Sequence, residues 1–239
     1  MIELLEKTLA AHGGLERWKE VGTVQTKLSA SGGVWTLKGQ PTLFADVTVD
    51  VSTTSQSVSA TPFVHEGWHG TYSPDRVHID DADGVVQEER SNPRASFDGH
   101  TLQTPWDHLH AIYFGGYALW TYVNVPFVLA EPGFELSELE PWTEGDEVWR
   151  RLHIVFPDRI ATHSKEQVIY IDEKGLIRRH DYTAGITGGG PGAHFLHDYR
   201  EFDGIVFPTL RKVFPRQGDN SAAPEPLLIK MEFASYSLS

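Results

Sequence analysis

The sequence predicts an α+β fold that is mostly antiparallel β, a bent sheet wrapped around short helices in a single domain over residues 1–239. Three observations predict it. Segments of period-two alternation recur along most of the chain. Turn residues separate them, with 22 Gly and 14 Pro in 239 residues. One apolar segment near the middle, bounded by Gly and Pro, has helical spacing instead. Hydrophobic residues make up 40% and charged residues 22%, a globular balance for a chain long enough to bury a large core.

Residues 2–12 read as an amphipathic helix, with Ile2, Leu5 and Leu9 on one face and Gly13-Gly14 ending it. A short second helix is expected over 15–20. Strands are expected over 23–30, over Val34–Lys38 after the Ser31-Gly32-Gly33 turn, and over 43–51, where Leu43, Ala45, Val47, Val49 and Val51 alternate with Phe44, Asp46, Thr48 and Asp50. Arg76–Asp80 and Val85–Glu89 form a hairpin around Asp81-Ala82-Asp83-Gly84.

The middle segment opens at Thr104-Pro105-Trp106-Asp107, with Thr104 as helix cap and Pro105 at the first helical position. A helix from about 105 to 113 is expected to stop at Gly115-Gly116, and a second apolar helix to run to about Val125 before Pro126. Strands then resume at 134–139, 148–156, 167–171, 176–182, 193–200, 209–214 and 227–233. Between two of them lies the glycine-rich stretch Ala184–Gly192, which lacks the Lys-Ser/Thr ending of a phosphate loop and reads as a β-connection or a pocket lid.

Charge and composition exclude several functions. The formal net charge of −13 repels a phosphate backbone, so no nucleic-acid partner is expected. There is no cysteine, which excludes disulfides, thiol catalysis and Cys-based zinc sites. No segment has the apolar length of a membrane span, so no membrane insertion is expected. The start, Met1–Lys7, has no basic region followed by an apolar one, and a cytoplasmic protein is expected.

His65-Glu66-Gly67-Trp68-His69 matches the H-E-x-x-H zinc motif literally, but that chemistry needs a helix. In a strand, positions i and i+4 stand about 13 Å apart, too far to share an ion, so no metal is expected. No cofactor is expected either. The acidic stretch Glu131–Glu147 reads as a solvated face.

Candidate ligand-binding residues sit on the middle helices. Tyr113, Tyr117 and Trp120 are spaced by four and three, which forms one face if helical geometry persists through Gly115-Gly116, and His108 lies near its start. Candidate catalytic residues lie on the C-terminal strands. His180 and Tyr182 share a face with Leu176, and His194 and Asp198 share a face with Leu196. If these faces meet, a His–Tyr–Asp cluster can move a proton or donate to an oxyanion.

The segments AHGGLERW (Ala11–Trp18), YFGGYALWTYVNVPF (113–127), HSKEQVIYIDEKGLIRRHDY (163–182) and HDYREFDGIVFPT (197–209), in the order of elements around them, resemble the LolA/LppX-like half-barrel superfamily. The resemblance implies a bent antiparallel half-barrel around helices, with an apolar cavity. In carrier members that cavity takes acyl chains. The expected partner is therefore an apolar or amphipathic small molecule, lipid-like or polyketide/terpenoid-like. The rival reading is a cofactor-independent acid–base enzyme (isomerase, cyclase, lyase or hydrolase) in the same cavity, and a third is a protein-interaction module using the open sheet edge.

Overall fold

The computed structural model describes all residues, Met1–Ser239. The chain begins with two short helices, α1 (Glu3–Ala11) and α2 (Leu15–Trp18), then enters strand β1 (Thr23–Ser31). After α3 (Gly33–Leu37) come β2 (Val47–Ser52), β3 (Val58–Thr61), β4 (His69–Tyr72), β5 (Arg76–Asp80) and β6 (Val86–Ser91). The long helix α4 (His108–Asn124) follows, then β7 (Glu135–Glu144), β8 (Glu147–Val155), β9 (Glu166–Ile171), β10 (Ile177–Thr183), β11 (Pro191–Phe202), β12 (Ile205–Pro215) and β13 (Ile229–Leu238).

All thirteen strands join one open antiparallel sheet in the order β6-β5-β4-β3-β2-β1-β13-β12-β11-β10-β9-β8-β7. This order decides where the long helix goes. The chain starts at the middle of the sheet and walks outward to one edge at β6. It resumes at the opposite edge at β7 and walks back, until β13 pairs with β1. The segment between β6 and β7 must therefore cross the sheet, and α4 is that crossing. Every residue from Ala111 to Asn124 is buried, as a helix that is apolar all round requires.

Four expectations differ from the structure. Val34–Lys38 belongs to a helical turn, α3, rather than a strand. The strand expected over 43–51 begins only at Val47, because the chain turns over 43–46 to put Phe44 inward under α4. The helix cap is Asp107, not Thr104: its carboxylate accepts from the His110 N–H at 2.8 Å and from the Arg90 guanidinium at 2.6 Å. Gly115-Gly116 does not end the helix. A Cβ on Gly116 would lie 2.3 Å from the Tyr72 side chain, and one on Gly115 2.7 Å from Phe44. The two glycines let α4 lie directly on the sheet, at roughly 1 kcal/mol each in helix propensity.

α4 packs chiefly on β2 to β6. Phe44, Phe63, Tyr72, Tyr113 and Trp120 join its core. No helix is long and apolar enough to cross a membrane.

Candidate functional site

Because α4 leans on one half of the sheet, the other half, β9 to β12, faces it across a gap. Long polar side chains fill the deep part. The His163 ring, from the turn before β9, lies between two helix tyrosines: its Nδ1 is 3.1 Å from the Tyr117 hydroxyl and its Nε2 2.7 Å from that of Tyr122. The Tyr122 hydroxyl is 2.6 Å from the Tyr182 hydroxyl, which lies 3.4 Å from His194 Nδ1. The His163 and Tyr182 rings stack at 4.0 Å. Beside this chain, His180 Nε2 meets Gln167 Oε1 at 2.6 Å, and Gln167 donates to Thr162 Oγ1 at 2.8 Å.

A neutral imidazole offers one donor and one acceptor, and a phenol one donor and two acceptor sites. The four hydrogen bonds of the chain Tyr117–His163–Tyr122–Tyr182–His194 can thus form with every group uncharged, their protons all pointing one way, while the buried His194 Nε2 has no partner. Burial enforces that state. It pushes the His180 pKa down to about 3, with help from Arg211, and those of His163 and His194 well below the ordinary imidazole value. It raises Tyr117, Tyr122 and Tyr182 above the ordinary phenol value. Arg211 stands over the Tyr122 ring and donates to the Tyr122 carbonyl at 2.7 Å, in the last turn of α4, where the helix dipole favours a cation.

Above this floor is a cavity of about 320 Å³. Phe114, His163 and Tyr182 form its inner end. Val213, Pro215, Leu228 and Ile229 form one wall, and Ala184, Thr187 and Gly189–Gly192 of the glycine-rich stretch form the other. Val34 and Leu102 close the top, and its mouth opens near the exposed Gly190 and Pro226. A much smaller apolar space of about 20 Å³, lined by Trp35, Phe44, Leu119 and Met231, continues inward and shares Phe114 and Ile229 with it.

One buried lysine holds the mouth together. Lys38 caps the end of α3 and has no exposed surface. Its ammonium donates to the carbonyls of Thr101, Leu102 and Thr187, each at 2.9 Å, and lies 3.2 Å from that of Thr104. It has no carboxylate partner, and burial lowers its pKa. Gly188 seals the same junction at a φ of +67°: a Cβ there would stand 2.4 Å from the Thr101 backbone, so only glycine fits.

The residues singled out from sequence fall in different places. Tyr182 lines the cavity, and Tyr117 and His194 join its hydrogen-bonded floor. His180 is buried beside them but turned to Gln167. Tyr113 faces the other way, against Tyr72 and Phe97, and lines a separate cleft with Arg94. Trp120 is buried with its indole N–H on the Ser55 carbonyl at 2.8 Å. His108 lies on the surface, 3.6 Å from Glu88. Asp198 is not part of the cluster: its left-handed φ of 55° breaks the strand alternation and leaves the side chain exposed.

His163 and Tyr122 escaped the sequence reading. His163 lies in an irregular turn without periodicity, and Tyr122 read as one more apolar helix residue. In the H-E-x-x-H segment, His65 packs on Trp68 with ring centroids 4.4 Å apart while His69 opens β4. No group of three or more His, Asp or Glu side chains is placed to hold a metal ion.

No protein-family profile matches the chain, and no curated protein matches it in sequence. Solved structures do resemble it. A domain named for outer membrane lipoprotein sorting, from Vibrio parahaemolyticus, aligns over 99% of this chain and 91% of its own, at 9% identity and a TM-score of 0.54. A DUF1329 family protein from Desulfovibrio piger aligns over 98% and 91%, at 11% identity and a TM-score of 0.55. A LolA superfamily protein from Nitrosomonas europaea aligns over 94% and 91%, at 10% identity and a TM-score of 0.50. The chain has the LolA-like half-barrel fold.

Proposed function

We propose that the protein binds an apolar or amphipathic small molecule, lipid-like or polyketide/terpenoid-like, in the cavity beneath the glycine-rich stretch. One observation carries the reading: a cavity of about 320 Å³ with mostly apolar walls and a hydrogen-bonding inner end at Tyr182 and His163. Small-molecule sites are commonly clefts of about 300–1,000 Å³ with a few convergent polar groups. The names of the similar structures, one for lipoprotein sorting and one for the LolA superfamily, point the same way. The Tyr182 ring closes the inner end of the cavity. Its hydroxyl is held by Tyr122 and His194, and each phenol oxygen can accept a second hydrogen bond.

The buried histidines favour binding over acid–base chemistry. A general base works best with a pKa near the operating pH. Here burial drives His163, His180 and His194 the other way, so at neutral pH they act as uncharged supports for Tyr182.

Titration with the neutral fluorophore N-phenyl-1-naphthylamine tests the reading. The dye is expected to brighten and saturate at about one equivalent. Val213→Phe, which adds volume from a wall residue, is expected to weaken binding by about tenfold while the fold persists by circular dichroism. Dye binding that is absent, or that ignores Val213→Phe, would reject the cavity as the site.

A further inference from the structure

The charge lining this cavity runs against the charge of the protein, and the difference bears on the ligand that the reading above assigns to it. The chain carries 33 Asp and Glu against 20 Lys and Arg. Yet no acidic residue lines the cavity, and its one permanently charged wall residue is Arg216. His163, the other titratable base there, is neutral by burial.

Arg216 follows the end of β12 and is only partly engaged. One terminal nitrogen donates to Asn220 Oδ1 at 3.2 Å. Its Nε is 3.7 Å from Asp181 Oδ2, and this buried N–H has no acceptor. Asp181 has little left to offer. Its Oδ1 accepts from Arg179 Nε at 2.7 Å, and its Oδ2 accepts from Arg179 Nη2 at 2.9 Å and from the Tyr170 hydroxyl at 2.7 Å. Glu144, the nearby second carboxylate, takes another Arg179 nitrogen at 3.2 Å. Two guanidiniums thus compete for Asp181, and Arg179 wins it with paired geometry. The other local cations are directed elsewhere: Lys38 to four carbonyls, and Arg211 to the Tyr122 carbonyl outside the cavity wall.

We propose that the cavity selects amphiphiles with a single anionic head, seated at Arg216, with the apolar body running inward to Phe114 and Tyr182. A carboxylate or sulfonate oxygen pairs with the guanidinium through its terminal nitrogens, of which only one is bonded, to Asn220, because the Nε–H is sealed on the Asp181 side. A quaternary ammonium head meets a cation and no acid. A hydroxyl head makes the hydrogen bond without the charge.

Three probes with a ten-carbon chain separate these cases: decanoate, whose tenth carbon is its carboxyl, decan-1-ol and decyltrimethylammonium, each competing with N-phenyl-1-naphthylamine on the full chain. Decanoate is expected to bind at least about tenfold tighter than decan-1-ol, and decyltrimethylammonium weakest. Arg216→Gln is expected to bring the decanoate-to-decanol affinity ratio close to one, and Arg216→Lys to keep most of it. Thermal melting of each variant, compared with the parent, shows whether the fold is intact. Equal affinity for decanoate and decan-1-ol in the parent overturns the head-group assignment and leaves the cavity reading standing. So does an unchanged ratio in a folded Arg216→Gln. Failure of dye and all three probes to bind overturns both.

Discussion

The two halves of the concave face meet the same helix in opposite ways. Toward β2–β6, α4 touches the sheet through glycines and flat apolar side chains: Gly115 on Phe44, Gly116 on Tyr72, with Tyr113 edge-on to Tyr72 behind. Toward β9–β12, it reaches across a gap with Tyr117 and Tyr122, which end on His163 and Tyr182. Close contact leaves no room for a ligand between α4 and the sheet at Gly115 and Gly116 on the first side. Separation on the second leaves a gap that a polar floor and a cavity share. The difference shows that a helix can be fully buried and still be packed asymmetrically, and that the loose side is where a site can form.

The most damaging way to break this comparison is to push the tight side apart. Gly116→Val places two methyl groups where a Cβ alone would stand 2.3 Å from Tyr72. It is expected to cost about 3 kcal/mol by urea denaturation, at the upper end of overpacking effects. Gly190→Ala on the loose side, where a Cβ meets nothing within 4 Å, is expected to stay within about 0.5 kcal/mol. Similar losses in both would show that the halves do not differ in tightness.

Tyr122→Phe strikes the polar side. It removes the hydroxyl that joins His163 to Tyr182 and leaves two buried groups short of a partner. A loss of about 2 kcal/mol is expected. A stability equal to the parent's would mean that this chain contributes nothing to the fold.

Acid sharpens the contrast, because the neutral histidines lie on the polar side. The pKa of His180 is about 3 in the folded protein, below the ordinary imidazole value of 6.5. The unfolded chain therefore takes up a proton as pH falls through 6.5 while the folded chain does not. Stability is full above 6.5 and declines as pH falls from there toward 3, by up to about 1.4 kcal/mol per pH unit for such a group. His180→Gln, which keeps a polar amide in place of the imidazole, should remove about 1 kcal/mol of the loss between pH 6.5 and 5.5. An unchanged pH slope in that variant would place the titration elsewhere.

The smallest expected effect is local. Lys38→Met removes the ammonium that ties the 101–104 segment to Thr187. Backbone amides of 99–106 and 185–190 should exchange hydrogen about tenfold faster, with little change in α4. Uniform acceleration across the chain would instead mark Lys38 as a support of the whole fold.

The alternation of β1, the Asp81–Gly84 turn and the apolar run around α4 could all be read in the chain, because each is a local pattern. The continuity of α4 could not. The helix-breaking tendency of Gly115-Gly116 is local too, and here packing against Phe44 and Tyr72 overrides it. The same holds for Arg179 and Asp181, which strand alternation turns away from the inner face. They are nevertheless buried, where Asn220 of the β12–β13 connection accepts from Arg179 at 2.7 Å.

The sequence by itself determined the antiparallel β class, most strand positions, the burial of the middle helix, and the presence of His180, Tyr182 and His194 on inward strand positions. Those follow from side-chain periodicity, which is a property of neighbouring residues. Only the tertiary structure decided that His163 completes the polar chain, that Tyr113, Trp120 and His108 stand apart from it, and that Lys38 and Arg216 flank the cavity. The reason is physical. Each of those contacts joins segments tens of residues apart, and they come together only when a sheet that starts at its own middle forces one helix to cross its face.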